Sequence, residues 1–81
     1  MRVVIECYGA SQRWCGSEIV NLDLVEGQTA NDALDALAER YPEFAARRDS
    51  IAIAIGNAIT APTRRLEDGD RVALIPPVSA G

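Results

Sequence analysis

The stretch "TANDALDALAERYP", residues 29–42, is the one whose reading decides the fold. Ala30, Ala33, Leu34, Leu37, Ala38 and Tyr41 recur at the three-and-four spacing of one α-helical side, and Asp32, Asp35, Glu39 and Arg40 cover the other. Thr29 and Asp32 stand three residues apart at the head of this stripe. That is the spacing of a capping box, in which hydroxyl and carboxylate each accept a free backbone amide. Asp32 and Asp35 fall near the positive end of the helix dipole and Arg40 near the negative end. Pro42 restricts Tyr41, so the helix ends there or hands over to a short turn carrying Phe44.

On both sides of this helix the period changes to two. In "RVVIECY", residues 2–8, Val3, Ile5 and Cys7 share one face and Val4, Glu6 and Tyr8 the other. In "EIVNLDL", residues 18–24, Val20, Leu22 and Leu24 oppose Ile19, Asn21 and Asp23. These strands are expected to form an antiparallel hairpin, with "GASQRWCGS", residues 9–17, as a connecting loop. Beyond the helix, "IAIAI" alternates Ile51, Ile53 and Ile55 with Ala52 and Ala54, the pattern of an interior strand approached closely on its second face. A turn at Gly56 and Asn57 leads to a short pairing segment at residues 58–60 before Pro62. The turn signal at Asp68, Gly69 and Asp70 delivers the last strand, "RVALI", with Val72 and Leu74 on one face and Ala73 and Ile75 on the other. Neither a lone amphipathic helix nor a one-faced sheet buries its apolar side alone. The expected fold class is therefore α+β, with one main helix across one face of a mixed sheet. Residues 1–75 form the domain and residues 76–81 an extended mobile tail.

At 81 residues the chain has room for one core, removing roughly 60–65% of the surface an unfolded chain exposes. Hydrophobic residues make up 48% and charged residues 25%, the balance of a globular protein. No run approaches the roughly 20 apolar residues of a membrane span, nor is there a signal-peptide stretch, so cytoplasmic residence is expected. Eight basic and 12 acidic residues give a net charge of -4, which disfavours nucleic acid as a partner. With no histidine and two cysteines, a closed zinc site is not expected. A cysteine-nucleophile enzyme is disfavoured as well: Cys7 belongs to the inward face of its strand, and no histidine is present to activate it.

The chain ends "IPPVSAG". If Val72 and Leu74 lie under the helix, Ala73 and Ile75 join Val4 and Tyr8 on a face that the helix leaves uncovered, a candidate docking surface. Pro76 and Pro77 lack amide hydrogens and favour an extended rod leaving the sheet. Six residues from Pro76 to Gly81 reach roughly 20 Å. Val78 can anchor the stem, and Ser79, Ala80 and Gly81 are small enough to pass a narrow channel. A terminal glycine carboxylate is the least hindered acyl group a protein possesses. The residues alone leave a disordered end as the alternative.

The segments "VVIECYGASQ", "TANDALDALAERYP", "IAIAIGNAIT" and above all "LEDGDRVALIPPVSAG" resemble the ubiquitin-like β-grasp sulfur carriers, in particular the small subunits of molybdopterin synthase. The likeness spans essentially the whole chain. It implies a β-grasp fold and a reacting carboxylate at Gly81, which an activating enzyme adenylates with ATP and sulfur transfer turns into a thiocarboxylate. It also implies that the carrier docks on a large subunit, threads its tail and donates sulfur to a pyranopterin precursor, building the dithiolene of molybdopterin. The chain would then be the non-catalytic, sulfur-donating member of a transferase complex, binding no cofactor or metal of its own. Thiamine-pathway carriers are similar but lack the proline-pair ending. The family ends in two glycines, and Ala80 departs from that pattern; a β-grasp interaction module without carrier activity is the rival reading.

Overall fold

The computed structural model describes residues 1–77. In chain order the elements are β1 (Arg2–Cys7), α1 (Ser11–Cys15), β2 (Ile19–Asp23), α2 (Ala30–Arg40), α3 (Pro42–Ala45), a 3-10 turn at Arg48–Ser50, β3 (Ala52–Ile55), β4 (Ala58–Thr60) and β5 (Arg71–Ile75). The strands make one mixed sheet in the order β2-β1-β5-β3-β4. β1 and β5 are parallel neighbours at its centre, while β1 with β2, β3 with β4 and β3 with β5 are antiparallel. This is the expected ubiquitin-like β-grasp.

The alternation read from the sequence becomes the core. Val3, Ile5 and Cys7 of β1, Val72 and Leu74 of β5, and Ile53 and Ile55 of β3 are buried together with Ala33, Leu34 and Leu37 of α2. Leu37 and Leu74 are fully enclosed, and each such side chain contributes about 1.5–3 kcal/mol from leaving water. The capping box is present, with the Asp32 amide donating to Thr29 Oγ1 at 3.4 Å and the Thr29 amide to Asp32 Oδ2 at 2.8 Å. Two more free amides of the helix start are used: Ala30 donates to the Arg64 carbonyl and Asn31 to that of Pro62, both at 2.8 Å. Leu66 is buried beside this junction and its amide donates to the Gln28 carbonyl at 2.9 Å. The segment between β4 and β5 is thereby fastened to the head of α2.

Pro42 ends α2 by holding Tyr41 in an extended conformation (φ -131, ψ 97) and then opens α3, which drives Phe44 into the core. The turn before β5 is tied to the start of β1. Gly69 donates to the Arg2 carbonyl and Arg2 to Asp68 Oδ1, both at 2.7 Å, and Val4 donates to the Asp70 carbonyl at 2.9 Å. These bonds bring β5 alongside β1 rather than back along β4.

Residues 9–17 are not a simple connecting loop. They contain α1, opened by a turn at Gly9 (φ +55) and closed by a left-handed Gly16 whose amide donates to the Gln12 carbonyl. Its formation is tertiary in origin. Ser11 and Cys15 are buried, and Trp14 lies under the Arg47 guanidinium, 5.0 Å from the ring centre. The pairing of β1 with β2 is antiparallel nonetheless, from Arg2 opposite Asp23 to Glu6 opposite Ile19.

Candidate functional site

The register assembles one row of side chains across the sheet face away from the core: Ile19, Glu6, Ala73, Ala54 and Ile59, each directly opposite the next on the neighbouring strand. Ile75 lies opposite Ala52, and Arg71 opposite Val4. The small alanines at the centre and the larger side chains around them form an open concavity of about 1090 Å3, with Tyr8, Ile59, Ala73 and Ile75 in its lining. Of the five exposed large hydrophobic residues among those described, Tyr8, Ile19, Ile59 and Ile75 share this face, and Val25 lies in the loop after β2. Large apolar side chains gathered on one face, rather than scattered, mark a surface that a partner covers.

Tyr8, Ala73 and Ile75 therefore converge in one concavity. Val4 shares the face but is half-buried between Asn21 and Arg71 and does not line the hollow. Alternation places Ile19 on the outward face of its strand, but the sequence does not show that Ile19 and Ile59 belong to this row. Only the register of all five strands puts them in line with Ala73.

The face also carries one ion pair. Arg71 Nε and Nη2 both approach Glu6 Oε2, at 3.1 and 2.9 Å, across the parallel β1 and β5. Glu6 and Arg71 are diagonal neighbours, since Glu6 stands opposite Ala73 and Val4 opposite Arg71. In the free protein such an exposed pair is worth about 0–1 kcal/mol. Under a partner that excludes water it would set orientation more than affinity. Arg64, from the segment fastened to α2, lines the same hollow.

Neither cysteine is placed as a nucleophile. Both thiols are free and buried. Burial, followed by the neighbouring Cys15, pushes the Cys7 thiol up to about 12, and burial raises Cys15 too. Both remain protonated at neutral pH. Among the described residues, no group of three or more histidine, cysteine, aspartate or glutamate side chains is placed to hold a metal ion, and no helix is long and apolar enough to cross a membrane.

β5 delivers the tail at the rim of this surface. It ends at Ile75, and Pro76 follows half-buried with Pro77 exposed. The expected roles of Val78, Ser79, Ala80 and Gly81 lie outside the described residues.

The family model described as ThiS family matches residues 12–81. A molybdopterin synthase sulfur carrier subunit from Aedes aegypti is 42% identical over 52 residues, covering 59% of this chain and 52% of that protein. The chain thus spans about half the length of that relative. A protein of the same name from Arabidopsis thaliana is 22% identical over 81 residues, all of this chain and 84% of the other. Among solved structures, SAMP1 from Haloferax volcanii superposes with a TM-score of 0.91 at 28% identity, covering 100% of both chains. The complex of subunits 1 and 2 of molybdopterin-converting factor from Helicobacter pylori 26695 matches with a TM-score of 0.70 at 22% identity, again over 100% of both chains. With its β-grasp sheet and a match that runs through to residue 81, the chain belongs to the ThiS family.

Proposed function

We propose that this chain is a sulfur carrier, the small subunit of a molybdopterin synthase, which docks through the helix-free sheet face and donates sulfur from a thiocarboxylate at Gly81. The observation that carries this reading is the continuity of β5. The strand that presents Ala73 and Ile75 to the apolar concavity runs directly into Pro76 and Pro77, so docking of the face aims the chain end at the partner. Relatives named molybdopterin synthase sulfur carrier subunit support the pathway, and the paired subunits of the Helicobacter pylori complex support a large-subunit partner.

The chemistry needs little from the chain itself. The Gly81 carboxylate attacks ATP on the activating enzyme and pyrophosphate leaves, giving an acyl adenylate. A hydrosulfide equivalent displaces AMP and leaves a thiocarboxylate, whose sulfur stays nucleophilic towards a pyranopterin precursor in the large subunit's site. Acids, bases and phosphate ligands come from the partners, and cytoplasmic residence fits the ATP-dependent step.

The test has two arms. Ile75→Asp places a charge in the docking patch and should leave the circular dichroism spectrum intact. It should weaken calorimetric affinity for the cognate large subunit by about tenfold or more. A chain lacking Gly81 should bind as tightly as the intact one but acquire no thiocarboxylate. Unchanged affinity of Ile75→Asp would remove the face from the interface, and sulfur loading of the shortened chain would remove Gly81 from the chemistry.

A further inference from the structure

Five described glycines, Gly9, Gly16, Gly27, Gly56 and Gly69, have positive φ. Four of them face open space. At Gly9 alone a side chain would meet another part of the protein: a Cβ there would stand 3.6 Å from Pro76 Cγ, the first residue of the tail. The parallel register brings them together, since Cys7 lies opposite Leu74 and the two strands run on side by side, β1 into the turn at Tyr8 and Gly9 and β5 into Pro76.

Pro76 has no amide hydrogen, so the ladder between β1 and β5 cannot continue through it. The Pro76 ring stands beside Gly9 there, one Cβ's distance from it. The turn beside Pro76 is tied by hydrogen bonds. Ser11, fully buried, donates from Oγ to the Tyr8 carbonyl at 2.6 Å and from its amide to the same oxygen at 3.1 Å, while Gln12 donates to the Gly9 carbonyl at 3.2 Å. A buried hydroxyl spent on a turn beside the tail, together with a glycine whose open side faces the tail's first ring, stands at the point where the chain leaves the sheet.

We infer that the turn at Tyr8 and Gly9, fixed by Ser11, is the guide that sets the exit direction of the tail, making Gly9 and Ser11 positioning residues for the chemistry at Gly81. The inference rests on the sulfur-carrier reading. Pro76 is the first residue of the tail that carries Gly81, and misplacing a reacting group by about 1 Å can slow a reaction by as much as about 100-fold. The guide acts on the delivery of the carboxylate to the activating enzyme, whereas affinity for the large subunit through the sheet face is separate from it.

Gly9→Asn tests this directly, because asparagine tolerates the left-handed backbone yet adds a side chain facing Pro76. Gly16→Asn is the control, with the same substitution at a left-handed glycine that faces open space. Pro76→Ala removes the Cγ that stands beside Gly9 and serves if Gly9→Asn does not fold. The readouts are single-turnover thiocarboxylate formation by intact mass, with ATP, hydrosulfide and the cognate activating enzyme, and calorimetric affinity for the large subunit. Gly9→Asn and Pro76→Ala should each form thiocarboxylate about fivefold more slowly or worse, with affinity within about twofold of wild type, and Gly16→Asn should match wild type in both. Thiocarboxylate on the wild-type chain with equal rates for all three variants would overturn the guide and leave the carrier reading standing. No thiocarboxylate on the wild-type chain would overturn the carrier reading, and the guide with it.

Discussion

Cys7 shows how a residue with reactive chemistry becomes an ordinary part of a core. Its position on the inward face of β1 removes it from water, and the resulting rise of its thiol to about 12 has a consequence for stability. The folded value lies above the ordinary 9.0, so an unfolded chain releases this proton first as pH rises. Stability from this group is therefore complete below about pH 9 and is lost between about 9 and 12. The thermal midpoint should fall across that window, and Cys7→Ala, though less stable at neutral pH, should show a shallower fall. Equal slopes for the two proteins would place the alkaline sensitivity elsewhere. At the chain end, Ala80→Gly should speed thiocarboxylate formation if alanine is strained in the threaded tail. A strain of about 1–2 kcal/mol, felt fully at the transition state, corresponds to roughly 5–30-fold in single-turnover rate. Equal rates would show that the partner's channel accommodates the methyl group. The inward placement of Val3, Ile5 and Cys7 is legible in the sequence because a period of two has one apolar phase. The nearness of Gly9 to Pro76 is not, since it joins residues 67 positions apart whose types only say "turn" and "stop".

Among the elements, α2 was the most legible, for eleven residues suffice to show a stripe, a cap and a stop. Its cap also does more than the local pattern states. Thr29 and the following amides face the segment through Pro62, Arg64 and Leu66, so the helix start is a junction of two chain segments. Thr29→Ala should lower unfolding free energy by about 1 kcal/mol, within the 0.5–2 kcal/mol range of lost caps. Urea titration with an unchanged slope would read this as pure stability. A midpoint unchanged by the substitution would mean that the carbonyls of Pro62 and Arg64 hold the helix start by themselves. α1 illustrates the opposite case. A helix of five residues is too short to display a helical period, and the element exists because Cys15 and Ser11 are buried and Trp14 is clasped by Arg47. The docking face fell between these extremes. Tyr8, Ala73 and Ile75 followed from alternation, whereas Ile59 and the Glu6–Arg71 pair needed the strand order to become neighbours of them.

For the molecule as a whole, the proposed activated terminus has to coexist with the rest of its own surface. All eight cationic side chains are arginine, so lysine, the usual amine acceptor of an activated acyl group, is missing from the sequence. The Met1 ammonium is engaged with the Leu24 carbonyl at 2.6 Å, and both thiols are buried. An adenylated chain should accordingly form no amide-linked copies of itself, while Arg65→Lys, at an exposed site, should allow them. Denaturing electrophoresis after incubation with ATP and activating enzyme, with hydrosulfide left out, distinguishes the two; ladders from the wild-type chain would contradict the reading. The sheet order, the uncovered face and the delivery of the tail at its rim together make one claim, that this fold exists to present the carboxylate of Gly81 for sulfur loading. The most direct measurement is the intact mass of the chain after incubation with ATP, hydrosulfide and its cognate activating enzyme. The predicted result is a gain equal to one sulfur replacing one oxygen, located at Gly81 by fragmentation and abolished when that residue is deleted. An unchanged mass for the intact chain, in a reaction where the same enzyme binds it and consumes ATP with another carrier, would contradict the claim.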